Sequence, residues 1–308
     1  MTKKKSPDNE PAGVFRSGFI AICGPPNAGK STLINRLTGE KISITSDKPQ
    51  TTRNRILGIV NRDKAQLVFM DTPGIFKASG RLNTRIVDSA IAALAEVDVI
   101  LMMVDVSSRS RRDDEALVVR HLGKTSKPVV LALNKIDLVK KPAILNHIDQ
   151  WRAVHSFAHI FPVSAKDGEQ TDDLLRELEK LLPPGAPLFP EDMVTDMPER
   201  FIAAEMIREK VIRLTGQEIP YATAVSIDTF QEKKNGSVIY IQATIHVEKD
   251  SQKGIIIGKQ GRMLKTIGER SRLDIQRMTG AKVYLELFVR VQDKWRSDDA
   301  KLTEFGLP

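Results

Sequence analysis

Few features of this 308-residue sequence invite cross-linking, membrane insertion or aromatic-rich recognition. Cysteine occurs once, at Cys23, so no disulfide can form within the chain. Lying in an apolar run, Cys23 reads as a small buried packing residue in a reducing compartment. The longest apolar stretch, Val97 to Val106, is about ten residues and is broken by Asp98 and Asp105, where a helix crossing a bilayer needs about 20. The N-terminus carries Lys3-Lys4-Lys5 without an apolar core behind it, which does not fit a secretory signal; residues 1–13 are expected to be a disordered basic tail. Aromatics make up 5% of the chain, so base stacking has few rings to use. What is present is positive charge: 47 Lys and Arg against 39 Asp and Glu, a net +8. That balance suits an acidic partner such as nucleic acid, and equally an anionic lipid surface. The length allows two ordinary domains, each with its own core.

The most informative stretch is Gly24-Pro25-Pro26-Asn27-Ala28-Gly29-Lys30-Ser31. It follows an apolar run, Gly18 to Cys23, and precedes a helix-like segment from Thr32 to Leu37. This is G-x-x-x-x-G-K-[ST] in the strand, loop and helix setting that the motif requires. Glycines let the backbone curl so that its N–H groups point at the α- and β-phosphates, and the helix N-terminus adds positive potential. Lys30 would reach the β- and γ-phosphates, and the Ser31 hydroxyl would ligate Mg²⁺.

From residue 14 to 182, short apolar strands alternate with helical stretches, as in an α/β sheet covered on both faces. Glu40 to Asn54 reads as a long polar loop, and long ordered loops in compact domains are usually functional. Its Thr51 and Thr52 offer hydroxyls for the Mg²⁺ shell, with Thr52 favoured. Arg55 to Val60 and Gln66 to Met70 suggest an antiparallel edge hairpin. The second of these strands runs into Asp71-Thr72-Pro73-Gly74, an acid placed to hold Mg²⁺ through water and a glycine whose N–H can approach the γ-phosphate. A further buried strand, Val129 to Leu133, ends in Asn134-Lys135-Ile136-Asp137. The two oxygens of Asp137 can accept from the adjacent donors of guanine, whereas adenine offers an acceptor there and would leave the carboxylate unpaired. Asn134 would brace the loop and contact the base, and the Lys135 stem would cover one ring face. After a last strand, Ile160 to Val163, a backbone N–H of Ser164-Ala165-Lys166 could donate to guanine O6.

These five motifs, in this order, resemble those of the translation-factor-related GTPases. The resemblance implies a Ras-like P-loop GTPase domain with a mostly parallel sheet, GTP or GDP as ligand and Mg²⁺ as cofactor. Lys30, Thr51, Thr52, Gly74 and Ile75 would then form the catalytic and switching set. Many members carry a glutamine where this chain has Ile75; an aliphatic side chain cannot orient water, so intrinsic hydrolysis is expected to be slow. GTPases similar to this one use an asparagine at the position of Asn27 to hold potassium, although an asparagine also simply tolerates a tight turn.

Pro183-Pro184-Gly185-Ala186-Pro187 ends a helical stretch and marks a domain boundary, with 183–198 as a linker. In 199–308 the expected order is helix Glu199–Leu214, strands Ala222–Thr229 and Ser237–Val247 around a Lys233-Lys234-Asn235-Gly236 turn, a short apolar piece at Gly254–Ile257, Gly258-Lys259-Gln260-Gly261, a helix, and a strand from Lys282 to Val291. Tyr284 and Phe288 are expected to be core. Gly-x-x-Gly between two helices after two strands resembles a smaller α+β KH domain of the prokaryotic (type II) topology, whose loop clamps four nucleotides of single-stranded RNA. Gly258, Lys259, Gln260, Gly261, Arg262 and Lys265 are the expected RNA contacts. From Lys249 to Arg296 there are twelve Lys and Arg against five Asp and Glu, which gathers the positive charge around this loop.

A GTPase domain followed by this module is similar to the Era GTPases, with specific matches at Ile42-Ser43-Ile44-Thr45-Ser46, Pro49-Gln50-Thr51-Thr52-Arg53, Glu205 to Lys210 and Glu218-Ile219-Pro220-Tyr221. The resemblance implies binding to the 3′ end of 16S ribosomal RNA and a role in small-subunit assembly and rRNA maturation. It also implies a cytoplasmic, monomeric protein with some peripheral association to the inner face of the cell membrane. Two other readings stay open: a membrane-surface signalling GTPase, and an RNA-binding module indifferent to nucleotide.

Overall fold

The structure, a computed structural model, describes residues 14–108, 112–233 and 237–307. The expected basic tail and the expected turn residues Lys234-Asn235-Gly236 lie outside the described residues. The first half runs β1 (Arg16–Cys23), α1 (Lys30–Thr38), β2 (Ile56–Arg62), β3 (Ala65–Asp71), α2 (Arg81–Ala93), β4 (Val99–Asp105), α3 (Arg112–Leu122), β5 (Val129–Asn134), α4 (Lys141–Val154), β6 (His159–Val163) and α5 (Thr171–Leu181). These strands form one six-stranded sheet in the order β2-β3-β1-β4-β5-β6. Only the edge pair β2–β3 is antiparallel, the hairpin legible in the sequence.

Alternation along β1 divides the core between two layers. Ile20 and Ile22 pack with Leu33 of α1 and Leu175 of α5, while Ala21 and Cys23 face the layer containing Val87 of α2 and Val118 of α3. Burial on both sides accounts for the continuous apolar runs in β1, β4 and β5. The buried Cys23 thiol is pushed up to about 12, so it packs and does not react. Because five strands run parallel, the C-terminal ends of β1, β3, β4, β5 and β6 meet at one edge, where ligands of open α/β sheets sit.

The second half comprises α6 (Glu199–Leu214), β7 (Ala224–Lys233), β8 (Val238–Val247), α7 (Asp250–Ile257), α8 (Arg262–Thr279), β9 (Lys282–Val291) and α9 (Asp299–Glu304). Its sheet has the order β7-β8-β9, antiparallel and then parallel, with α6, α7 and α8 on one face. The short apolar piece expected at Gly254–Ile257 is the end of a full helix, α7. Tyr284 and Phe288 are not core: they are 55% and 52% exposed. Along β9, Val283, Leu285 and Leu287 turn to the helices, and the intervening residues project from the opposite face. The short helix α9 and the buried Trp295 before it were not legible as a periodic pattern.

Residues 183–198, the expected linker, run as a strap along the first half. Ser17 N–H donates to Pro183 O at 3.2 Å and Ile59 N–H to Val194 O at 2.8 Å, and the Gln66 side chain accepts from Leu188 N–H at 2.6 Å. Two further contacts join the halves. Ala224, Trp295 and Leu302 pack with Leu82 and Ile86 of α2. Helix α6, meanwhile, buries Arg208, Glu209 and Lys210 on its charged side.

Glu209 is fully buried and accepts from Lys41 at 2.6 Å and Lys210 at 2.7 Å; Lys41 and Lys210 also meet Asp274 of α8. Burial raises the Glu209 carboxyl, but the hydrogen bonds and charges of the two lysines outweigh it and hold it below the ordinary value, and the same balance holds for Asp274. Removing one partner of a buried pair costs about 3–5 kcal/mol, so Glu209→Ala should lower the urea-unfolding free energy by that order. Both folded-state carboxyls lie below their unfolded values, so this stabilisation is complete at neutral pH and disappears as pH falls through the folded-state values, below roughly pH 4. An acid titration of thermal stability should therefore be steeper for the wild type than for Glu209→Ala in that range.

Candidate nucleotide site and nucleic-acid interface

The loop between β1 and α1 is held open by residues that admit no side chain. Gly24, at φ 146°, would place a Cβ 2.2 Å from Met103 O, and Gly29, at φ 101°, would place one 2.1 Å from Asn134 Nδ2. The Lys30 ammonium lies within the curve, donating to Pro25 O at 2.9 Å and Gly24 O at 3.3 Å. Gly74 lies against this loop, where a Cβ would stand 2.8 Å from Pro26 N. Asp71, Thr72 and Pro73 are buried at the end of β3, with Thr72 Oγ1 donating to Ile22 O at 2.8 Å.

Three oxygen-bearing residues from separate elements converge beside the loop. Ser31 Oγ is 2.9 Å from Thr52 Oγ1 and donates to Asp71 Oδ2 at 2.8 Å, which also accepts from Ser43 Oγ at 2.8 Å. Thr51 does not join them; its hydroxyl donates to Lys48 O at 2.7 Å. Asp71 is fully buried, and its Oδ1 has no hydrogen-bond partner. Burial raises this carboxyl, with Lys30, Ser43 and Ser31 opposing. A buried, under-satisfied carboxylate beside two hydroxyls is a donor set that suits a hard divalent cation such as Mg²⁺, which prefers oxygen ligands. Ile75 is fully buried in the core, with its N–H donating to Gly24 O at 3.1 Å, so its side chain turns away from this cleft.

At the base-recognition end, Asn134 ties two loops together. Its Nδ2 donates to Ala28 O at 2.7 Å, and its Oδ1 accepts from Ala165 N–H at 2.9 Å. Of the backbone N–H groups in Ser164-Ala165-Lys166 expected to offer a donor to guanine O6, that of Ala165 is engaged by Asn134 here. Asp137 accepts from Ser164 Oγ at 2.8 Å, and Lys135, in the left-handed region at φ 69°, is held by Asp105 at 2.6 Å. Ile136 is buried beneath them. Asn27 is left-handed at φ 61°, as the turn reading requires, and its amide donates to the Asp47 carbonyl of the polar loop. The cleft lined by Pro26, Lys30, Thr52, Gly74 and Lys135 is narrow, about 140 Å³. A larger hollow of about 720 Å³ between α3 and α4 is lined by none of the motif residues.

The polar loop is fastened to the other half of the chain by residues whose role the motifs did not announce. Arg53 is buried and donates to Thr223 O at 2.7 Å and to Pro220 O and Tyr221 O at 3.1 Å, while its guanidinium lies 5.9 Å from the Trp295 ring. Burial and the neighbouring Arg208 lower it to about 9, still cationic at neutral pH. Arg208 donates to Thr51 O at 2.5 Å, Arg213 to Thr45 O at 2.7 Å, Lys48 to Ile212 O at 2.5 Å, and Glu209 accepts from Thr45 N–H at 3.0 Å. The available signal was the run of three charges Arg208-Glu209-Lys210 between the apolar pairs Met206-Ile207 and Val211-Ile212.

Gly258 and Gly261 form the connection from α7 to α8 with φ of 71° and 75°, and Gln260 between them is at 52°. Lys259, Gln260, Arg262 and Lys265 are exposed around it. Gly261, Leu264, Lys265 and Arg272 face Leu285 and Leu287 of β9 across a groove of about 370 Å³.

A phosphate-cradling loop, an oxygen cluster suited to Mg²⁺ and a braced acid for the base, together with a Gly-x-x-Gly module, define a class: a P-loop GTPase joined to a KH domain. A family model described as "50S ribosome-binding GTPase" matches residues 19–135, and a KH domain model matches 218–296. The chain belongs to the Era GTPase family. It is 52% identical to the GTPase Era of Geobacter metallireducens over 95% of this chain and 98% of that one, and 51% identical to that of Geobacter sp. strain M21 over the same shares. Among solved structures, a point variant of Aquifex aeolicus Era bound to GDP·AlF4⁻ superposes with a TM-score of 0.91 at 41% identity, covering 95% of this chain and 99% of that one. An Era complex with MgGDPNP and nucleotides 1506–1542 of 16S ribosomal RNA gives the same score, identity and coverage.

Gly29→Ala would force a left-handed non-glycine and collide with Asn134, so it should lower stability by roughly 1–3 kcal/mol. Thermal melting of the nucleotide-free protein checks this; an unchanged melting temperature would show that the phosphate loop and the Asn134 brace are independent.

Proposed function

We propose that this chain is a GTP-dependent switch whose output is binding to the 3′ end of small-subunit ribosomal RNA, acting in small-subunit assembly and rRNA maturation. The observation that carries the reading is the double attachment of the 40–55 loop. At Thr52 it touches the Ser31 hydroxyl and at Ser43 the Asp71 carboxylate, and through Lys41, Thr45, Lys48, Thr51 and Arg53 it is bonded to the RNA-binding half. A loop ordered by a γ-phosphate and Mg²⁺ cannot rearrange without breaking or making those bonds. Asp274, which meets Lys41 at 2.9 Å, lies on the helix that begins at the Gly-x-x-Gly loop, so the path to the RNA groove is short.

In this reading Lys30 and the loop N–H groups from Gly24 to Ser31 hold the phosphates, with Gly74 beside them. Asp137 selects guanine, and Asn134, Lys135, Ser164 and Ala165 hold the base pocket in shape. Ser31 and Thr52 would ligate Mg²⁺, with Asp71 behind them; the ion would neutralise charge on the β- and γ-phosphate oxygens. The burial of Ile75 supports slow intrinsic hydrolysis, since neither its chemistry nor its direction serves the attacking water. The RNA assignment is supported by the Era complex with 16S ribosomal RNA and by the exposed cations around Gly258 and Gly261.

Affinity for an RNA of the small-subunit 3′ end, titrated at fixed salt, should rise with a non-hydrolysable GTP analogue over GDP by about 5- to 150-fold, the usual range of site-to-site coupling. Arg53→Ala should shrink that ratio while leaving GTP affinity within a few-fold. Equal RNA affinity in both nucleotide states would favour the nucleotide-independent module instead.

Asn27 supports one refinement. Its amide N–H donates to the Asp47 carbonyl, which sets this side chain beside a loop carbonyl oxygen, the ligand type a potassium ion takes. Hydrolysis should be faster in K⁺ than in Na⁺ at equal ionic strength, and indifference to the exchange would rule the ion out.

A further inference from the structure

We propose that the outer face of the β7-β8-β9 sheet is a second RNA contact, a stacking platform that takes bases of the strand leaving the Gly-x-x-Gly groove. The inference rests on the reading of this half as an RNA-binding module, and concerns the sheet face opposite to the helices that frame the loop.

In a chain so poor in aromatics, three rings gather on this one face. Tyr240 and Tyr284 are stacked, with centroids 5.3 Å apart and planes 10° from parallel, and Phe288 stands farther along β9. Tyr284 and Phe288 are each more than half exposed, although burying large rings is among the most favourable contributions a core can receive. The rings are held by a polar network: Glu286 accepts from Tyr240 Oη at 2.6 Å, Gln242 Nε2 at 2.8 Å and Tyr284 Oη at 3.3 Å. Cations rim the patch. Lys282 and Arg290 flank it on β9, and Lys233 lies 4.8 Å from the Tyr240 ring centre.

This arrangement fits single-stranded nucleic acid better than a protein partner. Aromatic faces in the middle with cations at the edge match bases inside and phosphates outside, the pattern of sequence-tolerant strand binding. An apolar protein interface would want a continuous greasy centre, whereas here a charged carboxylate separates Tyr284 from Phe288. Four residues of extended strand put these two rings about 13 Å apart, so they take separate bases. The platform is also continuous with the groove. Leu285 and Leu287 of the edge strand β9 form the groove wall opposite Gly261 and Lys265, and Tyr284 and Phe288 project from the other side of the same strand. A Gly-x-x-Gly loop clamps about four nucleotides, so a longer strand must run onto neighbouring surface.

The test compares two RNAs on the full chain loaded with a GTP analogue: a single-stranded RNA of about six nucleotides, near the length a loop groove holds, and the longer small-subunit 3′ end. The double variant Tyr284→Ser with Phe288→Ser should weaken the longer RNA about tenfold or more, the loss expected from one or two stacked bases, and leave the short RNA unchanged. Tyr284→Trp with Phe288→Tyr should keep wild-type affinity, since those rings also stack. Unchanged binding of the longer RNA by the serine variant overturns the inference, as does equal weakening of both RNAs, which would place these rings in the groove itself. If the wild type binds neither RNA, the reading of the whole module falls with it; if it binds both and the serine variant binds both alike, only the platform falls.

Discussion

An irregular loop cannot be buried unless something outside it satisfies its backbone, and this constraint organises the molecule. Residues 40–55 contain no helix or strand, yet Ser43, Thr51, Thr52 and Arg53 are all buried. Their polar groups must find partners elsewhere. On one side the partners are Ser31 and Asp71 at the edge of the phosphate loop; on the other they are Arg208, Glu209, Arg213 and the 220–223 turn. The loop is therefore shared property of the two halves. Helix α6 carries buried Arg208 and Glu209 where the loop needs them, and Lys210 ties Glu209 to Asp274 of α8.

The two junctions between the halves differ in chemistry. At α2 the contact is apolar, with Trp295 and Leu302 against Leu82 and Ile86, and the surface pairs of Arg81 and Arg85 with Asp299 add little. At the loop it is ionic and directional. Buried charge pairs are costly to desolvate and contribute less to net stability than to a specific arrangement, which suits a contact that must exist in one register or not at all. The apolar junction and the ionic one thus join the halves by different means, and in the proposed switch the ionic one would report where the loop is.

Much of the site was readable because its chemistry is local. Gly24 to Ser31, Asp71 to Gly74 and Asn134 to Asp137 each close a buried strand, and a strand followed by a loop with those residue types leaves few alternatives. Thr52 was preferred over Thr51 on pattern alone, and the geometry separates them, one hydroxyl beside Ser31 and the other on Lys48 O. The roles of Arg53, Lys41 and Glu209 were not readable, since the partners they find across the junction lie more than 150 positions away and a charged residue in a loop or helix ordinarily means solvent. Tyr284 and Phe288 were misassigned for another reason. Alternation along β9 puts Val283, Leu285 and Leu287 on one face and Lys282, Glu286 and Arg290 on the other, and the two rings share the charged face; reading them as core weighed residue type over that alternation.

The sequence by itself determined the layered α/β half, the order of the nucleotide motifs, the helix Glu199–Leu214 and the Gly-x-x-Gly loop, because periodicity and turn chemistry act over a few residues. Tertiary structure alone decided that 183–198 is a strap, that Ala165 N–H serves Asn134, that the polar loop is clamped by α6, and that three rings stand on an open sheet face. Those outcomes depend on which groups meet across the fold, and a backbone N–H, a buried carboxylate or an aromatic ring looks the same in the chain whatever it will eventually touch.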